Sequence, residues 1–183
     1  MIVITENQID RASKILSGIP GGVQKTLSST INRTLTTVRA KSATEITKTY
    51  RISAASAKET GKMNVKQATG ASLTGSVTFA GNLISLIDFS VSYGRNSLVN
   101  ASVMRKGGGG ALKHAYVRNL RYGTRVFERT SKRRDSSTQL FGPSMAHMMQ
   151  NADVLSGVER EAMNTVEKRL DHEIYRILNG YGG

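Results

Sequence analysis

Two long runs with apolar residues at helical spacing, one near each end of the chain, restrict the possible folds most strongly. In the run Gly21–Tyr50 these residues recur mostly every three or four positions: Val23, Leu27, Ile31, Leu35, Val38 and Ile46. In the C-terminal run they recur every four positions: Val158, Ala162, Val166, Leu170, Ile174 and Leu178. This spacing predicts two long helices, each with one buried apolar stripe. The other face of the first helix carries lysine and arginine among many serine and threonine residues. Because threonine is a mediocre helix former, packing must hold this helix together.

Between these runs the spacing of apolar residues changes to the alternation that is typical of strands. Four alternate positions predict one face of a half-buried strand: Leu73, Gly75, Val77 and Phe79. Further on, Ala115–Leu120 and Thr124–Thr130 predict two strands of a hairpin around Arg121, Tyr122 and Gly123. The sequence therefore predicts an α+β fold, in which an antiparallel sheet with β-hairpins packs against long N- and C-terminal helices.

Capping patterns predict where the other helices start. Thr5 and Gln8 form a capping box that opens a short helix over Glu6–Ser17, and Ser156 with Glu159 forms another that begins the final helix. The turn residues after the short helix suggest a boundary. We expect a helical arm over residues 1–20 and a single α+β domain over residues 21–183.

Two segments in the middle of the chain are expected to be loops. The first is Tyr93–Asn100, and the second is the run of four glycines Gly107–Gly110. Consecutive glycines can cradle a phosphate, but no Gly-Lys-Ser/Thr sequence follows them here. A flexible loop tip is therefore the expected structure of the glycine run.

Positive charge is the strongest functional signal in the composition. The chain has 26 lysine and arginine residues against 13 aspartate and glutamate residues, a net charge of +13. Such an excess indicates a polyanionic partner. The segment Met104–Arg134 contains ten cations and a single anion, Glu128, and so contributes +9. Its ten cations are the predicted contact residues: Arg105, Lys106, Lys113, Arg118, Arg121, Arg125, Arg129, Lys132, Arg133 and Arg134.

Aromatic residues lie between the arginines of the predicted hairpin, at Tyr116, Tyr122 and Phe127. Cations that neutralise phosphates and rings that stack on exposed bases together suit nucleic-acid contact. Strand alternation alone produces the same pattern, with the aromatics in the core and the arginines solvated. Both interpretations stay open at the level of sequence.

Other function classes find little support in the residues. The chain contains no cysteine, which excludes disulfides, thiolate metal sites and a thiol nucleophile. His114, His147 and His172 lie in different segments without metal-ligand spacing, and Ser144 lacks the glycine two positions on that a nucleophile elbow requires. No apolar run has the length of a membrane span, and no signal peptide is recognisable. We expect no enzyme activity, no cofactor or metal and no membrane partner.

A set of short segments, taken in chain order, carries a resemblance. They are Ile31–Leu35 with Val38 and Arg39, Tyr50–Ile52, Leu86–Phe89, a glycine-rich turn after Arg105, a basic hairpin containing Phe127, Leu140–Ser144 and the helical run Glu167–Ile174. Together they span roughly residues 25 to 178 and resemble the minor tail protein Z family of long-tailed phages.

This resemblance implies a virion structural protein that completes the tail at its head-proximal end, without catalytic residues. It implies a ring of identical subunits, for which we expect six-fold symmetry, next to tail tube, tail terminator or head-tail connector proteins. Viral DNA is a further expected partner, and the ten cations would contact DNA or line the lumen. The expected location is the virion, and the host cytoplasm during assembly. The alternative is a free nucleic-acid-binding protein without sequence preference, which explains the charge but not the two long helices.

Overall fold

The computed structural model describes residues 4–94, 97–107, 109–131, 133 and 136–180. The helices are α1 (Glu6–Ile15), α2 (Gly22–Thr49), α3 (Ala54–Thr60), α4 (Met145–Met149) and α5 (Ala152–Leu178), with a short 3-10 helix at Leu86–Asp88. The strands are β1 (Gly61–Lys66), β2 (Ser76–Gly81), β3 (Ile84–Ser85), β4 (Ser90–Gly94), β5 (Ser97–Ser102), β6 (Gly109–Leu112), β7 (Ala115–Leu120), β8 (Gly123–Arg129), β9 (Ser137–Gln139) and β10 (Phe141–Gly142). The predicted α+β class is confirmed, with long helices near both ends of the chain and antiparallel strands between them.

The strands pair into small sheets. Among the described residues, β1 pairs with β2, and β3 pairs with β10. Two antiparallel sheets of three strands each follow the orders β4-β5-β6 and β7-β8-β9. The sequence therefore predicted the kind of structure in the middle of the chain, while the number of sheets depends on pairing between strands.

Contacts divide the chain into two compact units, each built from separate stretches. The first unit comprises Met1–Ser42, Met63–Thr78 and Leu155–Gly183, and the second comprises Ala43–Lys62 and Phe79–Val154. The predicted division after residue 20 stays a prediction. Helix α1 belongs to the first unit, where Arg11 forms a 3.0 Å ion pair with Asp171 of α5.

The core of the first unit joins α1, α2 and α5. Its buried residues are Ala12, Leu16, Leu27, Leu170, Ile174 and Ile177. The predicted stripe on α5 is correct up to Ile174, but Leu178 is 51% exposed and Ile177 is buried instead. Four residues turn a helix by about 400°, so a strict four-residue repeat drifts by about 40° at each step. After five steps the stripe has left the buried side.

Helix α2 buries more polar residues than its apolar stripe predicts. Thr26, Thr30, Thr34 and Ser42 are all buried, although the sequence grouped serine and threonine with the cationic face. The Thr34 hydroxyl donates to the Thr30 carbonyl at 2.9 Å, and the Ser42 hydroxyl donates to the Val38 carbonyl at 2.6 Å. Because the Thr34 and Ser42 hydroxyls are satisfied by the helix itself, burying them costs little. The buried Thr26 and Thr30 hydroxyls differ, since they have no hydrogen-bond partner among the described residues.

The core of the second unit involves both three-stranded sheets. Leu86, Val99 and Val126 are buried in it, and partly buried residues from β4 to β7 pack around them. Two loop predictions are wrong here. The segment Tyr93–Asn100 contains parts of β4 and β5, which form a hairpin. Of the glycine run, Gly108 lies outside the described residues, while the last two glycines belong to β6 and pair with β5.

Local hydrogen bonds explain where helices begin. The N-terminal capping box is confirmed in part, since the Thr5 backbone N–H donates to Gln8 Oε1 at 3.0 Å. The predicted start of the last helix at Ser156 is wrong. Helix α5 begins one turn earlier, at Ala152, where Asn151 Oδ1 accepts from the backbone N–H of Asp153 at 3.0 Å. The predicted strand around Leu73 is also too long, because β2 begins only at Ser76.

Candidate nucleic-acid interface

The basic hairpin predicted from the sequence is formed by β7 and β8. Its register places Val117 opposite Val126 and Arg118 opposite Arg125. Val126 is fully buried, so the positions that alternate with it point away from the core. We call this outward side the arginine face, which comprises Arg118, Arg125 and Arg129 on the strands and Arg121 at the turn. Gly123 closes the turn with a φ of 107°, a conformation that side chains disfavour.

Like charges meet on the arginine face. Residues directly opposite in an antiparallel pair have Cβ atoms about 5 Å apart, and like charges there destabilise the pair. Arg118 and Arg125 occupy such positions. Within the part of the chain that the structure describes, no arginine of this face forms a salt bridge. An external anion would therefore relieve a repulsion that the hairpin carries by itself.

Local contacts orient two of the arginines. Arg125 Nη1 donates to the Thr124 carbonyl at 2.8 Å, which holds this guanidinium near the turn. Arg129 lies over the ring of Tyr116, with its Cζ atom 5.9 Å from the ring centroid. Neither contact neutralises the charge, so both cations remain able to attract an anion.

Two of the three aromatic residues of the hairpin are neither in the core nor free on the surface. Tyr116 and Phe127 are half-buried cross-strand neighbours whose rings stack with centroids 5.9 Å apart. The Tyr116 hydroxyl also donates to Ser137 Oγ of β9 at 2.9 Å. Tyr122 differs, since it is 83% exposed at the turn beside Arg121. Of the two interpretations from sequence, base stacking is thus limited to Tyr122.

The other three-stranded sheet provides an internal comparison. Its strands β4, β5 and β6 contain no lysine, arginine, aspartate or glutamate among their described residues. Serine, asparagine, glycine and alanine occupy most of its exposed positions, together with the apolar side chains of Tyr93 and Leu98. The arginines on β7 and β8 are therefore a feature of this hairpin and are not shared by the other three-stranded sheet.

The remaining predicted contact residues do not belong to the arginine face. Arg105 caps the C-terminus of α2, because its Nε donates to the Thr47 carbonyl at 2.7 Å. Lys106, Lys113 and Arg133 are exposed in turns or bends. Two of the ten predicted cations lie outside the described residues: Lys132 and Arg134. Whether any of the ten contacts DNA stays a prediction.

The residues that support the arginine face were not predicted from the sequence. Ser137 holds Tyr116 across 21 positions of the chain, and the carbonyl of Thr124 receives Arg125. No local pattern marks Ser137, because strand β9 is only three residues long. A strand of three residues beside a polar segment is too short to show an alternating pattern.

A serine–histidine pair has the distance of a catalytic dyad but serves a helix start. Ser144 Oγ and His147 Nδ1 are 2.9 Å apart. The Ser144 side chain is buried and accepts from the backbone N–H of His147, which makes it the cap of α4. The described residues also contain no group of three histidine, aspartate or glutamate side chains that could hold a metal ion. The absence of catalysis stays a prediction.

Comparisons with known proteins do not assign the chain. In the part that the structure describes, none of the helices has the length and apolarity needed to cross a membrane. No family model, curated protein or solved structure matches the chain. The resemblance to the minor tail protein Z family therefore stays a prediction from the ordered segments alone.

Proposed function

We propose that this protein is a virion structural protein of a long-tailed phage, which completes the tail at its head-proximal end and contacts the genome there. The ordered segments that resemble the minor tail protein Z family support the class. The observation that carries the contact with DNA is the arginine face, where Arg118 and Arg125 oppose each other without a carboxylate partner among the described residues.

The charge distribution agrees with such a role. The second unit holds 15 of the 26 cations and six of the 13 anions, so it carries +9 of the net charge of +13. In a ring of identical subunits this charge would be multiplied around one opening. A lumen lined in this way attracts the DNA backbone whatever the base sequence.

Location in the particle tests the proposal. The full chain, carrying a tag that binds gold particles, is produced during infection, and mature particles are imaged by electron microscopy. We expect label at the junction of head and tail. Absence of label from intact particles, with the protein on nucleic acid in the host cell, would replace the proposal with a free nucleic-acid-binding protein.

Infectivity tests the part played by the arginines. Replacing Arg118, Arg121 and Arg125 together by serine should lower infectivity while tails still assemble. The matched control replaces Arg33, Arg39 and Arg169, which are exposed cations of the first unit, and removes the same charge. Equal infectivity of the two triple variants would contradict a specific role of the arginine face.

A further inference from the structure

We infer that the arginine face binds the phosphates of duplex DNA and does not read bases. The inference rests on the proposed function, because it specifies the form of nucleic acid that the same face meets. The sequence left open whether the hairpin binds single strands through its aromatic residues. The contacts of those residues favour the duplex.

The rings that could have stacked on bases are already occupied. Proteins that bind single strands present aromatic side chains on which successive bases stack. On this face Tyr116 stacks with Phe127, lies under Arg129 and hydrogen-bonds to Ser137. A base would have to displace these contacts. Tyr122 alone is open, and a single ring cannot form a stacking platform.

The cations have the dimensions of a phosphate contact. From Gly123 to Arg129, strand β8 makes six steps of about 3.4 Å, which gives a length of about 20 Å. Each strand of a duplex presents one phosphate per about 3.4 Å of its axis, or about six phosphates over this length. Four arginines along the hairpin can therefore each meet a phosphate.

The tip of the hairpin is free to approach a duplex. Strand β9 pairs with Phe127, Glu128 and Arg129 of β8, and the backbone N–H of Leu140 donates to the Val126 carbonyl at 2.9 Å. Among the described residues, no third strand pairs with β8 between Gly123 and Arg125. Arg118 and every residue from there to the turn are exposed. A two-stranded ribbon of this kind fits the width of the major groove and can contact the phosphates along it.

Salt-dependent binding of the purified full-length protein tests the inference. Fluorescence anisotropy is measured with short DNA duplexes of two unrelated sequences and with a single-stranded oligothymidylate of the same length. Replacing Arg118, Arg121 and Arg125 by glutamine should lower the slope of log affinity against log salt by up to about 2.7, at about 0.9 per lost phosphate contact. Between 50 and 200 mM salt, affinity of the original protein should then fall about 40-fold more than that of the variant.

Two control variants make the result specific. Replacing Arg33, Arg39 and Arg169 by glutamine removes equal charge from the first unit and should change the slope by less than about 0.9, the value for one phosphate contact. Replacing Tyr122 by serine should leave duplex affinity within about twofold, because the inferred contacts are ionic. Far-UV circular dichroism confirms that all variants keep the helical content of the original protein.

The outcomes separate the inference from the proposed function. Equal affinity for both duplexes and a reduced slope only in the arginine-face variant support the inference. Equal slopes in the two triple variants, tighter binding to oligothymidylate, or a tenfold loss on changing Tyr122 would overturn it. Label at the head-tail junction together with no duplex binding would leave the tail role standing and remove this inference. Duplex binding without label in particles would support this inference and remove the tail role.

Discussion

The side chain of Asn32 should stabilise the first unit far more than its partly exposed position on α2 suggests. Its Nδ2 donates to the Ala68 carbonyl at 2.9 Å, and its Oδ1 accepts from the Ala68 N–H at 2.8 Å. These two bonds tie a segment without regular structure to the long helix. Ala68 is only 4% exposed, so water cannot easily replace the lost partner.

The magnitude of the effect of Asn32→Ala follows from these contacts. Two net hydrogen bonds contribute about 1 kcal/mol each, and a buried backbone group left without a partner costs about 1–3 kcal/mol. Alanine regains a few tenths of a kcal/mol through its helix propensity. Together these terms predict that the free energy of unfolding falls by about 2.5–4.5 kcal/mol. Asn32→Asp should also destabilise, since it keeps the acceptor but turns a carboxylate oxygen toward the Ala68 carbonyl.

Urea unfolding followed by far-UV circular dichroism measures the change, because the chain has no tryptophan to report by fluorescence. The matched control is Thr36→Ala, one turn along α2, where the hydroxyl only donates to the Asn32 carbonyl at an exposed site. Asparagine and threonine have similar helix propensities, so the difference between the two variants isolates the contacts with Ala68. Amide hydrogen exchange at Ala68 should accelerate only in the Asn32 variants. A loss below about 0.5 kcal/mol, or equal effects of Asn32→Ala and Thr36→Ala, would refute the reasoning.

Two further substitutions test packing and capping in the second unit. Gly142→Ala places a Cβ atom 2.4 Å from Phe89 Cε2, and thermal unfolding should show a loss of stability of about 1–3 kcal/mol from this overpacking. The control Gly110→Ala should be close to neutral, because nothing lies within 4 Å of its added Cβ. Arg105→Met removes the side-chain donor to Thr47 at the end of α2 while keeping an apolar stem; a loss of about 1 kcal/mol with an unchanged salt slope of DNA binding is expected. A stable Gly142→Ala variant, or an Arg105→Met variant whose salt slope falls, would contradict these assignments.

Arg105 shows that cations close together in the sequence need not share one face of the fold. On the sequence, Arg105 belongs to the same basic cluster as Arg118 and Arg125. In the fold its guanidinium lies at the C-terminal end of α2, where a cation interacts favourably with the unpaired backbone carbonyls of the helix. The hairpin arginines remain as the compact part of the cluster, because strand pairing brings them to one face.

Several features were predictable because they depend on neighbours in sequence. The hairpin of β7 and β8 was found by its alternation and its glycine turn, and α2 and α5 by their apolar spacing. The β4–β5 hairpin was missed since serine, tyrosine and asparagine in Tyr93–Asn100 carry no alternating pattern. Gly109 and Gly110 were expected in a loop, yet they pair with β5, where a Cβ on Gly109 would lie 2.9 Å from the Ser102 Cβ. Close approach of a partner strand is not recorded in the local sequence.

The α+β class, the two long helices and the concentration of positive charge in the middle of the chain were predictable from the residue order, because periodicity and charge are local properties. Which cations share a face, and which rings are already occupied, depends on how the strands and helices pack. The tertiary structure set Arg118 opposite Arg125 through strand register, joined Tyr116 to Ser137, 21 positions further along the chain, and turned Arg105 to the end of α2. Such contacts join residues distant in sequence, so their geometry exists only once the strands and helices have packed.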